Sequence, residues 1–182
     1  MSEYFVRHGQ TDWNVDHKIQ GSIDIDLNEK GREQAAEMRE KLKDKKFAAI
    51  FSSPLNRARE TAQIIAEPHT DTPLIIVNEL AERNFGDYEG KPNNGDYYGL
   101  WQADNNETPN GETPEDLKIR IYPFLDRIRE EFSGEDVLLV AHGGIGLIIE
   151  TYYKGIPETG DLLEYASGNG ELKIYDIKEK QQ

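Results

Sequence analysis

The sequence predicts an α/β fold in which one central sheet carries helices on both of its faces. Two observations lead there. Short apolar runs alternate along the chain with segments of helical periodicity, the order that builds βα units. Those runs also lack a two-residue polar alternation, as expected of strands buried on both sides.

The first run, Tyr4-Phe5-Val6, ends at Arg7-His8-Gly9. Residues 28–45 predict a helix, because Asn28 suits an N-cap and Ala35, Ala36, Met38 and Leu42 recur at helical spacing. Ala48-Ala49-Ile50-Phe51 predicts a second strand, stopped by Ser52-Ser53-Pro54. A helix follows from about Leu55 to Glu67, with Leu55, Ala58, Ala62 and Ile65 on one face. Residues 74–77 predict a third strand, and residues 84–112, rich in Gly, Asn, Asp and Pro, a long loop. Thr113-Pro114-Glu115-Asp116 has an N-cap, a proline in the first turn and two acids, so a helix starts there and runs to about Phe132, with Pro123 as a point of bending. Val137 to Ala141 predicts a fourth strand ending at His142-Gly143-Gly144, followed by a helix from about Ile145 to Lys154 that Gly155 closes. Residues 162–166 and 171–177 predict two last strands, and Lys178 to Gln182 should fray. Neither a repeat nor a linker divides the chain, so one domain over 1–182 is expected, with the segment at about 84–112 inserted as a lid.

Composition excludes several classes of function. With 21 Lys+Arg against 35 Asp+Glu, the formal charge is −14, which opposes a nucleic-acid partner. The longest apolar runs are five residues, too short to span a membrane. Cysteine is absent, which removes disulfides, zinc-thiolate sites and a Cys nucleophile. Met1-Ser2-Glu3-Tyr4 shows no basic stretch leading into an apolar one, so a cytoplasmic location is expected. An anionic small substrate would need a local basic pocket set against the overall negative field.

Such a pocket is what the topology assembles. Ligands of open α/β sheets sit beyond the carboxyl ends of the strands. The first strand delivers Arg7 and His8 to that edge, the second leads into Arg57, and the fourth delivers His142. Two arginines and two of the four histidines therefore converge on one crevice.

These residues stand in recognisable blocks. Arg7-His8-Gly9-Gln10-Thr11 with Asn14, Gln20-Gly21 before Leu27-Asn28-Glu29-Lys30-Gly31, Ser52 to Ala62 around Arg57, Leu80 to Gly90 around Glu82, and Gly111-Glu112-Thr113 followed by His142-Gly143-Gly144 resemble, in order, the signature of the histidine phosphatase, or phosphoglycerate mutase-like, superfamily. The resemblance spans nearly the whole chain. It implies a three-layer α/β/α sandwich with a central mixed, mostly parallel sheet. It further implies a metal-independent phosphomonoesterase that needs no cofactor and works through phosphohistidine. By that likeness His8 is the nucleophile, and Arg7, Arg57 and His142 clamp the phosphate oxygens. The amide of Gly143 or Gly144 is a further candidate donor by its place near the start of a helix. Glu82 is the general acid that protonates the leaving alcohol and then accepts a proton from water. The chemistry suits the types. Guanidinium groups are permanently charged and fork-shaped, arginine cations hold a nearby imidazole neutral, and phosphoryl transfer asks mainly for positioning and charge stabilisation.

Asn14, Gln20 and Gly21 are candidate substrate contacts by the same likeness, although cap and turn chemistry would explain Thr11 and Asn14 equally well. Asn169 matches a position that often reaches the pocket in this family, but a plain Asn-Gly hairpin turn is preferred. His17 and His69 read as surface residues, and the Arg and Glu pairs of 28–45 and 113–131 as solvated helix faces. Many members carry an arginine shortly after the His-Gly-Gly block. Here Ile145 to Ile149 is apolar and reads as a core helix start. The segment 84–112 holds Asp87, Glu89, Asp96, Asp104, Glu107 and Glu112 against Lys91, together with Tyr88, Tyr97, Tyr98 and Trp101. An acidic, aromatic lid would favour a monophosphate whose other half is neutral, aromatic or cationic; equally, the acids face solvent and the rings pin the loop. The expected partners are a small phosphomonoester and inorganic phosphate, with the chain a monomer or homodimer. The alternatives are a mutase that passes the phosphoryl group to a second hydroxyl, a non-catalytic phospho-ligand binder, and a metallohydrolase using His8 and His142, for which no HExxH-type motif is present.

Overall fold

The computed structural model describes residues 1–177; the fraying expected at Lys178 to Gln182 lies outside them. In chain order the elements are β1 (Ser2–Arg7), α1 (Asp12–Val15), α2 (Glu29–Leu42), β2 (Ala49–Ser52), α3 (Asn56–Ala66), β3 (Leu74–Ile76), α4 (Gly95–Gly99), α5 (Pro114–Glu131), β4 (Val137–Ala141), α6 (Gly143–Lys154) and β5 (Leu172–Asp176), with short 3-10 turns between. The strands form one sheet in the order β3-β2-β4-β1-β5. All neighbours are parallel except β5, which runs antiparallel to β1. The mixed, mostly parallel sheet is thus present.

The strands show why their sequences do not alternate in polarity. Phe5, Phe51, Val137, Leu139 and Ala141 face one way, into a core built with α5 (Leu117, Ile121, Leu125) and α6 (Ile145, Ile148, Ile149). Tyr4, Val6, Ile50, Leu138 and Val140 face the other way, against Met38 and Leu42 of α2 and Ala62 and Ile65 of α3. Both faces need apolar side chains because both are covered, which makes the three layers.

Helix starts follow their caps. The Asn28 side chain accepts from Gly31 N–H at 2.9 Å, and Thr113 forms a capping box with Asp116. Pro123 sits inside α5 without ending it. The α6 helix begins two residues earlier than its sequence suggests, with His142 at the N-cap and Gly155 closing it at φ +82°.

Three expectations are corrected. Residues 162–165 form a 3-10 turn, not a strand, because Asp161 Oδ1 accepts from Leu163 N–H at 3.0 Å and starts a turn. His69 is buried, its ring 5.4 Å from that of Phe47. Arg120 is no solvated face residue: it donates to Glu112 at 2.9 Å and to the Ala81 carbonyl at 2.9 Å, tying α5 to the segment that carries Glu82. His17 is exposed, as expected. Among the described residues no helix is long and apolar enough to cross a membrane.

Candidate active site

The site lies where β1, β2 and β4 end. The ladder continues one residue past the strands, with His8 N–H donating to the Ala141 carbonyl at 2.9 Å and Ser53 N–H to Val140 at 3.1 Å. That pairing fixes the backbones of His8, Ser53 and His142 side by side. A close approach then holds the His8 loop from above. A Cβ on Gly9 would run into the Gly31 carbonyl at the start of α2, so these two glycines let the loop and the helix touch backbone to backbone.

His8 is buried and its Nδ1 lies 2.6 Å from the Gly9 carbonyl oxygen. A carbonyl accepts only, so Nδ1 carries the proton and Nε2 keeps its lone pair. Burial first, then the Arg57 and Arg7 cations, hold the imidazole pKa well below its usual 6.5. At neutral pH the ring is a free-base nucleophile with a defined tautomer.

The two arginines are anchored by one part of the guanidinium and left with an unpaired donor on another. Arg57, on the first turn of α3, donates from Nη2 to the Gly21 carbonyl and from Nη1 to the Ile23 carbonyl, both at 2.8 Å. Arg7 donates from Nη1 to the Ser167 carbonyl. Nε of each is buried without a protein partner. Desolvation brings the Arg57 pKa down to about 10, which leaves it charged at physiological pH.

His142 packs its ring 5.2 Å from that of His8 and is fully buried, behind the open cavity. Its Nε2 lies 2.7 Å from Ser53 Oγ, which already accepts from Leu55 N–H at 3.2 Å. Ser53 Oγ keeps a second lone pair beside its own proton, so at this contact it either donates to Nε2 or accepts from Nε2–H, according to the ring's tautomer. Nδ1 has no protein partner. Burial, aided by Arg57, keeps this imidazole uncharged by holding its pKa well below 6.5.

Glu82 faces these groups across the cavity. Its carboxylate accepts from Arg83 N–H at 2.8 Å and from Gly144 N–H at 3.1 Å. A Cβ on residue 144 would come within 2.5 Å of Glu82 and 2.6 Å of Trp101, so only glycine lets α6 approach the acid this closely. Since Glu82 takes the Gly144 amide, that amide is not free for phosphate; Gly143 lines the cavity.

The remaining expected residues divide. Asn14 and Gln20 line the cavity, whereas Thr11 serves as cap of α1 and as the hydroxyl that donates to Gln20 at 2.8 Å. Gly21 lines the cavity and positions Arg57 through its carbonyl. Asn169 lies in a turn, as expected, with Glu171 N–H donating to the Gly168 carbonyl at 3.2 Å, but the turn joins no hairpin, and the Asn169 side chain donates to the His8 carbonyl at 3.1 Å and to Asn14 Oδ1 at 3.2 Å, bracing the floor of the site. Sequence reasoning gave no role to Ser53 or Arg83. Arg83 is fully buried, donates to the carbonyls of Leu100 (2.7 Å) and Glu112 (2.8 Å) and to Thr108 (3.0 Å), and stacks over Trp101. It binds the 84–112 segment to the residue next to Glu82. Five acids of that segment fall into two groups. Glu89 accepts from Ser22 and Phe85, Glu112 from Asn84 and Arg120, and Asp87 from Asn110; Asp104 and Glu107 face solvent. Among the described residues no cluster of three or more His, Asp or Glu is arranged to hold a metal ion.

Fold and site together define an α/β protein with a neutral, buried imidazole in an arginine-lined anion pocket. Comparison with known proteins agrees. The histidine phosphatase superfamily (branch 1) model matches residues 4–182. The uncharacterized phosphatase PhoE of Bacillus subtilis is 36% identical over 94% of this chain and 92% of its own length. The probable phosphoglycerate mutase GpmB of Escherichia coli is 32% identical over 86% of this chain and 76% of its own. A mycobacterial glucosyl-3-phosphoglycerate phosphatase solved with VO3 is 28% identical and superposes with a TM-score of 0.84, covering 95% of this chain and 91% of that one. The chain belongs to branch 1 of the histidine phosphatase superfamily, and it is a phosphoric monoester hydrolase.

Proposed function

We propose that His8, Arg7, Arg57, His142 and Glu82 hydrolyse a small phosphomonoester in two displacements without a metal ion. The observation that carries this reading is the combination of an unprotonated His8 Nε2 with two buried guanidinium N–H groups that lack protein partners, on Arg7 and Arg57, and the unpartnered Nδ1 of His142. In the first step the Nε2 lone pair attacks phosphorus, the P–O bond to the leaving alcohol breaks, and Glu82 gives that oxygen its proton. In the second step water attacks phosphohistidine, its proton passes to Glu82, and the N–P bond breaks to release inorganic phosphate. The two guanidinium N–H groups, with His142 Nδ1–H in the tautomer that receives a hydrogen bond from Ser53, stabilise charge on the equatorial oxygens in both steps. The segment 84–112, locked by Arg83, acts as the lid of a single domain. The acidic, cysteine-free chain supports a cytoplasmic setting.

Hydrolysis is favoured over mutase transfer because, among the described residues, the cavity has no arginine beyond Arg7 and Arg57 to hold a further anionic group; the one other cation lining it there is Lys18, which pairs with Asp16 at 3.4 Å. Incubation with phosphomonoesters, with free phosphate and isomerised product both quantified, tests this. Stoichiometric phosphate is expected; isomerised ester without phosphate would establish the mutase reading.

Ser53 enters as a positioning residue. In this reading its hydroxyl donates to Nε2 and so selects the His142 tautomer that donates from Nδ1; Ser53→Ala should then lower kcat on the order of tenfold, the loss of one directed donor to the transition state. Nitrogen-15 NMR of the ring should then show the Nε2–H tautomer appearing, which a loss of packing alone would not produce. An unchanged tautomer would remove Ser53 from this role.

A further inference from the structure

Glu82 stands on chain that has no regular structure of its own. Residues 82–84 lie between the 3-10 turns Asn78–Leu80 and Gly86–Tyr88 and belong to no helix or strand. Backbone without a ladder must find partners for its polar groups elsewhere. Before Glu82 the partner is Arg120, on α5. Its Nη1 donates to the Glu79 carbonyl and its Nη2 to the Ala81 carbonyl at 2.9 Å, with the Glu82 carbonyl at 3.5 Å. After Glu82 the partner is Glu112. Its Oε2 accepts from Asn84 N–H at 2.8 Å, its N–H donates to the Asn84 carbonyl at 2.7 Å, and its carbonyl accepts from Arg83 Nε at 2.8 Å. The two partners are themselves joined, because Arg120 donates from Nε to Glu112 Oε1 at 2.9 Å and from Nη2 to Oε2 at 3.2 Å. The acid is therefore held on both sides by one brace. A planar guanidinium meets carbonyls and a carboxylate together from one fixed plane, which the single centre of an ammonium does not reproduce.

We infer that Arg120, joined to Glu112, is the positioning residue of the general acid: it fixes the backbone of Glu82 and so aims the carboxyl at the leaving oxygen. The inference rests on the phosphatase reading above, with Glu82 as acid, and adds what directs that acid. Neither Arg120 nor Glu112 lines the cavity, so the effect passes through Glu82. The carboxylate is also steered at its tip by the Arg83 and Gly144 amides. The first of these belongs to the braced chain, and it points correctly only while Arg120 and Glu112 hold that chain.

The test measures single turnovers, with protein in excess, of 2-phenylethyl phosphate and p-nitrophenyl phosphate. The first needs a proton on its leaving oxygen; the second does not. Arg120→Lys should slow release of phenylethanol about tenfold and Arg120→Ala about 10²-fold, the order of loss from a misplacement near 1 Å, with nitrophenolate release changed by less than about twofold. Glu112→Gln, which keeps the shape of the brace and removes its charge, should give the same split at smaller size. Vanadate should bind each variant as it binds the unaltered chain, since Arg7 and Arg57 are anchored by Ser167, Gly21 and Ile23. In a Glu82→Gln background Arg120→Lys should cost nothing further, because residues acting through one group are not additive. A thermal melt of each variant establishes that it is folded. Equal slowing of both esters, unaltered rates for both, or a full additional loss in the Glu82→Gln background would make Arg120 a support of the fold alone and overturn the inference. If Glu82→Gln itself slows both esters equally, the acid assignment fails; if the unaltered chain releases no phosphate, the phosphatase reading fails. These failures are distinct from the first.

Discussion

Replacing His8 with Ala should reduce phosphate release from any phosphomonoester by at least about 10⁴-fold, the order of loss when a covalent nucleophile is removed from an otherwise intact site. The clamp does not depend on that ring. Arg57 is held by the Gly21 and Ile23 carbonyls and Arg7 by Ser167, so the variant should still be stabilised against heat by vanadate. Loss of turnover with retained anion binding separates a nucleophile from a residue that merely builds the pocket. In the unaltered protein, mass spectrometry after an acid-free quench should find one phosphoryl group on His8. Substantial phosphate release by the variant would place the chemistry elsewhere and favour a pocket that only binds.

The environment of His8 adds a pH dependence of known sign. Its folded pKa, like that of His142, is depressed, so near pH 6.5 the unfolded chain takes up protons that the folded chain refuses. The stability these rings contribute is complete above pH 6.5 and is lost as pH falls toward their folded values. NMR titration of the His8 ring should therefore show no protonation step at 6.5. A step there would mean that burial and the two arginines fail to hold the ring neutral.

Much of this site was legible because its parts sit at strand ends, and the strands are apolar without interruption. Arg7-His8, Arg57 and His142 could be placed at one sheet edge from pattern alone. What pattern could not supply was the partner across space. Ser53 stands in plain view after β2, yet its role depends on a 2.7 Å contact with a residue 89 positions away. Arg83 is adjacent to Glu82 in sequence, but only its burial and its stacking on Trp101 show that it braces the 84–112 segment and does not contact solvent.

One misreading caused another. Leu162 to Ala166 is apolar enough for a strand, and two strands flanking Asn169-Gly170 make a hairpin turn the simplest reading. Once Asp161 diverts the first into a 3-10 turn there is no hairpin, and Asn169 is free to reach the His8 loop. The acids of 84–112 divide between the solvent-facing reading and one that pattern could not supply. Asp87, Asp104 and Glu107 are exposed, whereas Glu89 and Glu112 accept hydrogen bonds from within the fold. The place of Leu147 at the cavity was hidden in turn, because it has the periodicity of a core residue and nothing local marks which core residues border a cavity.

Glu82→Gln should separate the two proton transfers assigned to that carboxyl. The amide keeps the shape and one of the two acceptor contacts, to Arg83 or Gly144, but cannot donate a proton to a departing oxygen or take one from water. An alkyl phosphate needs the proton in the first step, so its turnover should fall about 10²–10⁴-fold, the usual worth of general acid–base catalysis. A p-nitrophenyl ester does not, since nitrophenolate departs as the anion. With that substrate the first displacement should remain fast while hydrolysis of phosphohistidine, which still needs a base, becomes slow. The expected result is a burst of one equivalent of nitrophenolate followed by slow turnover, with phosphohistidine accumulating at His8. An equal loss for both esters with no burst would mean that Glu82 only positions the Arg83 and Gly144 amides, and the proton would have to come from another group near the leaving oxygen. The Tyr97 phenol is the one the structure places within the field of Glu82 and Arg7, and it stays protonated through burial.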